Sequence, residues 1–116
     1  MADIEVKLES NTQAVDQALN AAIGRALEAV GLQAEGYAKM DLDKDPRRID
    51  TGNLRNSITH TTNIQEQEVY IGTNVEYAPY VEYGTVKMAP HPFLQNAVEG
   101  FADEYKAIFE SYLSDL

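Results

Sequence analysis

The sequence predicts an α+β fold: a small, mainly antiparallel sheet packed with two long helices, with short helical turns in the middle. Three observations predict it. Apolar residues recur every three or four positions through two long segments, one toward each end of the chain. Between them lie two segments rich in β-branched residues, separated by a short polar linker. Before the first helix, DIEVKLE (3–9) alternates polar and apolar residues with a period of two, as a half-buried strand does. At 116 residues, the chain 1–116 reads as a single domain with one modest core.

In that first strand Ile4, Val6 and Leu8 fall on one side, with Glu5, Lys7 and Glu9 on the other. Ser10, Asn11 and Thr12 then offer N-cap side chains, and Asp16 places negative charge in the first turns of a helix. Val15, Leu19, Ile23, Ala26/Leu27, Val30, Ala34 and Tyr37 mark that helix over roughly 12–41. Gly24, Gly31 and Gly36 interrupt it at about 1 kcal/mol each relative to alanine, which predicts a bend or the close approach of another segment. The run DLDKDPRRIDTG (41–52) is polar, breaks at Pro46 and reads as a surface loop. Thr51 is placed to cap a short helical turn, GNLRN, anchored by Leu54.

SITHTTNI (57–64) and EVYIGTN (68–74) follow as an antiparallel hairpin, with Ile58, Ile64, Val69 and Ile71 as the inward candidates. In EYAPYVEYGT (76–85), Pro79 is tolerated only in a first helical turn. A short helix therefore starts near Tyr77 or Ala78 and stops at Gly84. Tyr80 and Tyr83 share one of its faces, with Tyr77 at the entrance, which predicts an aromatic side pressed on the sheet and available for assembly. GTVKMAPHP is a connector with Pro90 and Pro92. From Phe93, helical spacing runs through Leu94, Ala97/Val98, Phe101, Tyr105, Ile108/Phe109 and Tyr112/Leu113, a second long helix over about 93–114.

Composition removes several function classes. There is no cysteine, so neither a disulfide framework nor a thiolate metal site is possible. No stretch reaches the ~18–20 apolar residues of a membrane helix. No basic segment followed by an apolar run opens the chain, so no secretory signal and no membrane partner are expected, and assembly in a host cytoplasm is. Net charge is −10, and five of the nine basic residues (Lys39, Lys44, Arg47, Arg48 and Arg55) crowd into one window interleaved with Asp41, Asp43, Asp45 and Asp50. Tight binding to a phosphate backbone needs a cationic footprint that the rest of the chain lacks.

The chemistry-bearing motifs are equally spare. DLDKD (41–45) imitates the opening of a calcium loop, but its sixth position is Pro46 instead of glycine and its twelfth is Gly52 instead of glutamate. His60 and His91 form no metal-binding spacing and read as surface or packing residues. Ser57, Ser111 and Ser114 lack a nucleophile elbow, and no phosphate-binding glycine loop is present. No catalytic residue, metal or cofactor is therefore assigned. Gly52 and Gly84 are expected where φ is positive or another backbone comes close. Arg55 and Glu82, of opposite charge, are expected to pair across the fold.

Three segments carry a resemblance. IDTGNLRNSI (49–58) resembles a D-T-G-x-L-R-x-S motif, VEYAPYVEYGT (75–85) a Y-A-x-x-x-E-x-G-T block, and APHPFLQNAVE (89–99) an A-x-P-F-L-x-x-A segment. Together, in this order and spacing, they resemble the minor tail or neck proteins of siphophages and related prophages, typified by a lambdoid phage gene-10 product. Asp50, Thr51, Gly52, Leu54, Arg55 and Ser57 match the first block; Tyr77, Ala78, Glu82, Gly84 and Thr85 match the second; Pro92, Phe93, Leu94 and Ala97 match the third. His91 stands where many members carry a basic residue, and Gln95 where many carry proline.

The resemblance implies a non-enzymatic structural protein of the head–tail junction, acting in neck formation or tail completion. It would sit in the virion as a ring around the DNA channel, with the free subunit possible as a monomer. Its partners would be copies of itself and the head-closure and tail-terminator or tail-tube proteins, while DNA passes without specific binding. The connectors 41–52 and 85–92 are expected to carry neighbour contacts. Acidic residues such as Glu66 and Glu68 would repel phosphates if they face the lumen. The alternative is a small regulatory or nucleic-acid-associated module using the basic 44–55 loop, with Arg47, Arg48 and Arg55 as phosphate contacts.

Overall fold

A computed structural model describes residues 2–7, 17–45 and 51–114, with the side chains of 17–45 and 52–114. The elements in chain order are β1 (Ala2–Lys7), α1 (Gln17–Asp43), α2 (Thr51–Ser57), β2 (Thr59–Asn63), β3 (Glu68–Thr73), α3 (Ala78–Tyr83), α4 (Phe93–Glu99) and α5 (Ala102–Leu113). The fold is the α+β arrangement the sequence predicts. β3 is the central strand, antiparallel to both neighbours, in the order β1-β3-β2. Ile4 stands opposite Ile71 and Val6 opposite Val69, while on the other side His60 faces Ile71 and Thr62 faces Val69.

The helices stack on the sheet and on one another. On α1, Ala22, Ile23, Ala26, Leu27, Val30, Ala34, Ala38 and Leu42 are buried, a stripe with the three- and four-residue spacing of one helical face. Leu42 explains why the helix passes the predicted end at 41: it continues the Ala34–Ala38 row by one more turn and is itself core. The predicted caps Ser10, Asn11, Thr12 and Asp16 lie outside the described residues. So do Arg47, Arg48 and Asp50. The rest of the core comes from Leu54, Ile58, Val69, Ile71, Ala78, Val81, Phe93, Leu94, Ala97 and Tyr105.

Hairpin β2–β3 turns through 64–67, where Gln67 takes φ 56° and its N–H reaches the Ile64 carbonyl at 3.2 Å. Of the four predicted inward residues, Ile58, Val69 and Ile71 are buried, whereas Ile64 is 43% exposed. Ile64 sits at the end of the strand, where its side chain lies against Gly24 at the near end of α1, with solvent beyond.

Glycine has two different meanings in α1. A Cβ on Gly31 would stand 2.6 Å from His60 Cδ2 and 3.0 Å from Val69 Cγ1, so this position is where helix and sheet touch. A Cβ on Gly36 would meet nothing within 4 Å. Gly31→Ala is therefore expected to destabilise by about 1–3 kcal/mol through overpacking. Gly36→Ala is expected to stabilise by about 0.5–1 kcal/mol through helix propensity alone. Urea denaturation of the two variants checks both signs.

The predicted C-terminal helix is helical over its span but broken once. Gly100 ends α4 and Phe101 departs from helical geometry at φ −132°, ψ 26°. The break lets the Phe101 ring stack on Tyr37 of α1, with centroids 3.8 Å apart and planes 11° from parallel. The Tyr37 hydroxyl donates to Glu104 at 2.7 Å, fixing the start of α5 against α1. No helix of the described residues is long and apolar enough to cross a membrane.

Candidate functional site

The three sequence blocks meet through side-chain–backbone hydrogen bonds. Block three ends in α4, a helix whose N-cap residue is Pro92 and whose cap makes no side-chain bond. The first-turn N–H groups of a helix need acceptors from elsewhere when the N-cap supplies none. Glu82 supplies them from α3, in block two. Its Oε1 accepts the Leu94 N–H at 2.9 Å and its Oε2 accepts the Gln95 N–H at 3.0 Å. These are the groups an N-cap side chain would otherwise serve. Negative charge at that end also suits the helix dipole.

Glu82 is only 1% exposed. Burial raises its pKa above the ordinary 4.5, against the two N–H bonds that lower it; nearby Asp41 adds to the rise and His91 offsets part of it. Arg55 is not its partner. The Arg55 Nε donates to Asp43 Oδ2 at 3.1 Å, tying α2 to the end of α1. The expected Arg55–Glu82 pair is thus corrected: each charge has a different partner, and that of Glu82 is main chain.

Gly84 closes α3 in the left-handed region, at φ 78°. A Cβ there would stand 2.8 Å from both the Met88 carbonyl oxygen and the Pro90 nitrogen, so block two packs directly on the connector into block three. Thr85 builds that connector: its N–H donates to the Met88 carbonyl at 2.8 Å and its Oγ1 accepts from the Lys87 N–H at 3.2 Å. His91 N–H returns to the Val81 carbonyl at 2.8 Å, and His91 Nε2 donates to the Asp41 carbonyl at 2.9 Å. Asn96 adds a bond to Asp41 Oδ2 at 3.0 Å. Asp41 and Asp43, predicted as loop, are therefore the last turn of α1 and serve as its attachment points. Phe93 and Leu94 are fully buried beneath this joint.

Block one reaches block two through Thr73. Ser57 Oγ donates to the Leu54 carbonyl at 2.6 Å and lies 2.5 Å from Thr73 Oγ1, which accepts the Val75 N–H at 3.1 Å. Leu54 anchors α2 in the core. Thr51 is the first residue of α2; its capping contact lies outside the described side chains. Gly52 is helical and open: a Cβ there would meet nothing within 4 Å, so the close approach expected at this position is absent.

The tyrosines face the other way from the prediction. α3 turns Ala78, Val81 and Glu82 inward, and Tyr80 and Tyr83 are 58% and 64% exposed. Val86 beyond them is fully exposed. Tyr77, at the helix entrance, is partly buried against the core. Glu68, grouped in sequence with Glu66 as a lumen candidate, is buried and accepts a hydrogen bond from Tyr70; Glu66 is exposed.

One arrangement had no sequence signal. His60 turns inward from β2 and places both ring nitrogens on carboxylates of α1, Glu35 at 3.0 Å and Glu28 at 2.5 Å. Only the register of β2 across α1 brings these residues together. A shallow hollow of about 310 Å³ on the sheet, lined by Ser57, Thr59, Thr61, Tyr70, Thr73 and Asn74 among others, has no carboxylate or imidazole in its lining, and its Tyr70 hydroxyl is engaged by Glu68. Among the described residues, no group of three or more His, Asp and Glu is placed to hold a metal ion.

Block one, and block two as far as Gly84, fall inside a family match. The family model described as "Bacteriophage HK97-gp10, putative tail-component" matches residues 6–84, well over half of the chain. The chain belongs to this phage tail-component family. Its motif residues act mainly as joints of the scaffold: Glu82 caps, Gly84 turns, Ser57 bridges, and Leu54 and Phe93 fill the core. No curated protein and no solved structure matches the chain.

Proposed function

We propose that this tail-component protein is a non-enzymatic structural subunit of the head–tail junction, assembling as a ring around the DNA channel during neck formation or tail completion. The observation that carries the reading is the division of labour within α3. Its inner face locks the second and third motif blocks together, while Tyr80, Tyr83 and the adjoining Val86 stand in solvent. Large aromatics on the outer face of a helix whose inner face is buried are the kind of residue that anchors protein–protein contacts. Copies of the chain and the head-closure and tail-terminator or tail-tube proteins are the partners this reading names. A net charge of −10 suits a subunit beside a channel through which DNA must pass without sticking.

Mass measurement of the purified chain mixed with portal-side and tail-side neck proteins tests the reading. Discrete rings or partner complexes are expected, and a chain that enters neither in the presence of both neighbours overturns it. Tyr80→Ala with Tyr83→Ala is expected to weaken that assembly by at least about tenfold, the scale of interface anchors. Unfolding stability should stay within about 0.5 kcal/mol of wild type, as for other exposed positions. A folded double variant that assembles like wild type places the contact surface elsewhere.

A further inference from the structure

His60 stands over a socket built into α1. Glu28, Gly31 and Glu35 follow one another at spacings of three and four, so they line one helical face. Gly31 admits the ring: a Cβ there would stand 2.6 Å from His60 Cδ2. The carboxylates close on it from both ends, Glu35 Oε1 on Nδ1 at 3.0 Å and Glu28 Oε1 on Nε2 at 2.5 Å. An ionised carboxylate only accepts hydrogen bonds, and a neutral imidazole has a single N–H. Both contacts are hydrogen bonds at once only if the ring carries two protons.

We infer that His60 is an imidazolium clamp pinning α1 to the edge strand β2, and that losing one ring proton loosens this seam, so the junction of helix and sheet responds to pH. The surroundings favour the charged form. From α1 come Glu28 and Glu35, with Lys39 Nζ 3.3 Å from the second oxygen of Glu35, holding that carboxylate in place. From β3 come Val69 and Ile71, both uncharged, and on β2 the neighbours Thr59, Thr61 and Thr62 are uncharged too. Burial on its own would lower the pKa of the ring, but the hydrogen bonds and the negative charges of Glu35 and Glu28 together outweigh it and raise it above the ordinary 6.5.

The sign of the linkage follows. A cationic group whose native pKa is raised contributes stability fully present below the unfolded value, near 6.5, and lost as pH rises through the native value. The deprotonated ring turns a lone pair toward one carboxylate. Glu28 is 61% exposed and can swing into water, whereas Glu35 is held by Lys39, so the Glu28 arm opens first.

An NMR titration of the full chain tests this, with the His60 and His91 rings distinguished by a His91→Gln variant. The His60 midpoint is expected above 6.5, lower in Glu28→Gln and lower still in Glu35→Gln. Amide exchange protection in 59–63 is expected to fall across that midpoint while that of the central strand β3 persists. Glu28→Gln alters an exposed residue and should leave the fold intact, so the test does not depend on the more buried variant. A wild-type midpoint at or below 6.5, or one unmoved by Glu28→Gln, overturns the clamp. Protection in 59–63 that stays flat through the titration overturns the loosening.

Discussion

Glu82→Ala is expected to destabilise the protein by about 2–4 kcal/mol in urea denaturation. The variant leaves the N–H groups of Leu94 and Gln95 without their acceptor at the start of α4. Pro92, at the N-cap, has no side-chain oxygen to replace it. The first of these donors is buried, and a buried donor without a partner costs about 1–3 kcal/mol. Relief of the desolvated carboxylate offsets part of that loss. Glu82→Gln separates the two contributions. It keeps one acceptor oxygen but turns an NH₂ toward the other donor, so a smaller loss of about 1–2 kcal/mol is expected at neutral pH.

The pH dependence sharpens that test. The native pKa of Glu82 is raised, so its contribution is fully present below the unfolded value near 4.5 and is lost as pH rises through the native value. The deficit of Glu82→Gln against wild type should therefore be greatest in acid and narrow toward neutrality. A deficit that instead grows with pH would mean that the two N–H bonds, and not burial, dominate the carboxylate. Equal stability of Glu82→Ala and wild type would remove Glu82 as the cap of α4.

The same residue marks the boundary of what the sequence makes legible. Helical periodicity locates α1 and the C-terminal helical span because burial there repeats at a regular interval, and Pro79 with Gly84 brackets α3 because each acts through its own backbone. The partner of Glu82 has no letter in the sequence, since it is main-chain N–H; opposite charges in neighbouring motifs pointed to Arg55 instead. Tyr80 and Tyr83 fall on one face by their spacing, but spacing does not say which face is inside. The deciding set was Ala78, Val81 and Glu82, where a carboxylate interrupts the apolar stripe and hides it. His60 with Glu28 and Glu35 depends wholly on the register of β2 over α1, and a hairpin with imperfect alternation leaves that register open.

The break between α4 and α5 was also hidden, because Val98, Phe101 and Tyr105 keep helical spacing across it. Tyr105 is the residue that compensates for it, and Tyr105→Ala is expected to lose about 3–5 kcal/mol, among the largest effects in the chain. Its ring is 1% exposed and sits 6.4 Å from Tyr37 and 6.5 Å from Phe101, completing the aromatic contact of α5 with α1. Its hydroxyl donates to the Ala97 carbonyl at 2.5 Å. In a continuous helix that carbonyl would accept the N–H four residues on, from Phe101. Phe101 leaves the helix to stack on Tyr37, so the end of α4 needs another donor, and Tyr105 returns from the first turn of α5 to supply it. Burial accordingly pushes the phenol well above its ordinary 10. Tyr105→Phe keeps the ring and removes only the donor, so a loss of about 0.5–2 kcal/mol is expected, appreciably less than for alanine. If Tyr105→Phe matched or exceeded wild-type stability, the hydroxyl would not be what makes the break tolerable. The stacking of Phe101 on Tyr37 would then have to hold the two helices at this angle unaided, and Phe101→Ala would be the variant to lose most.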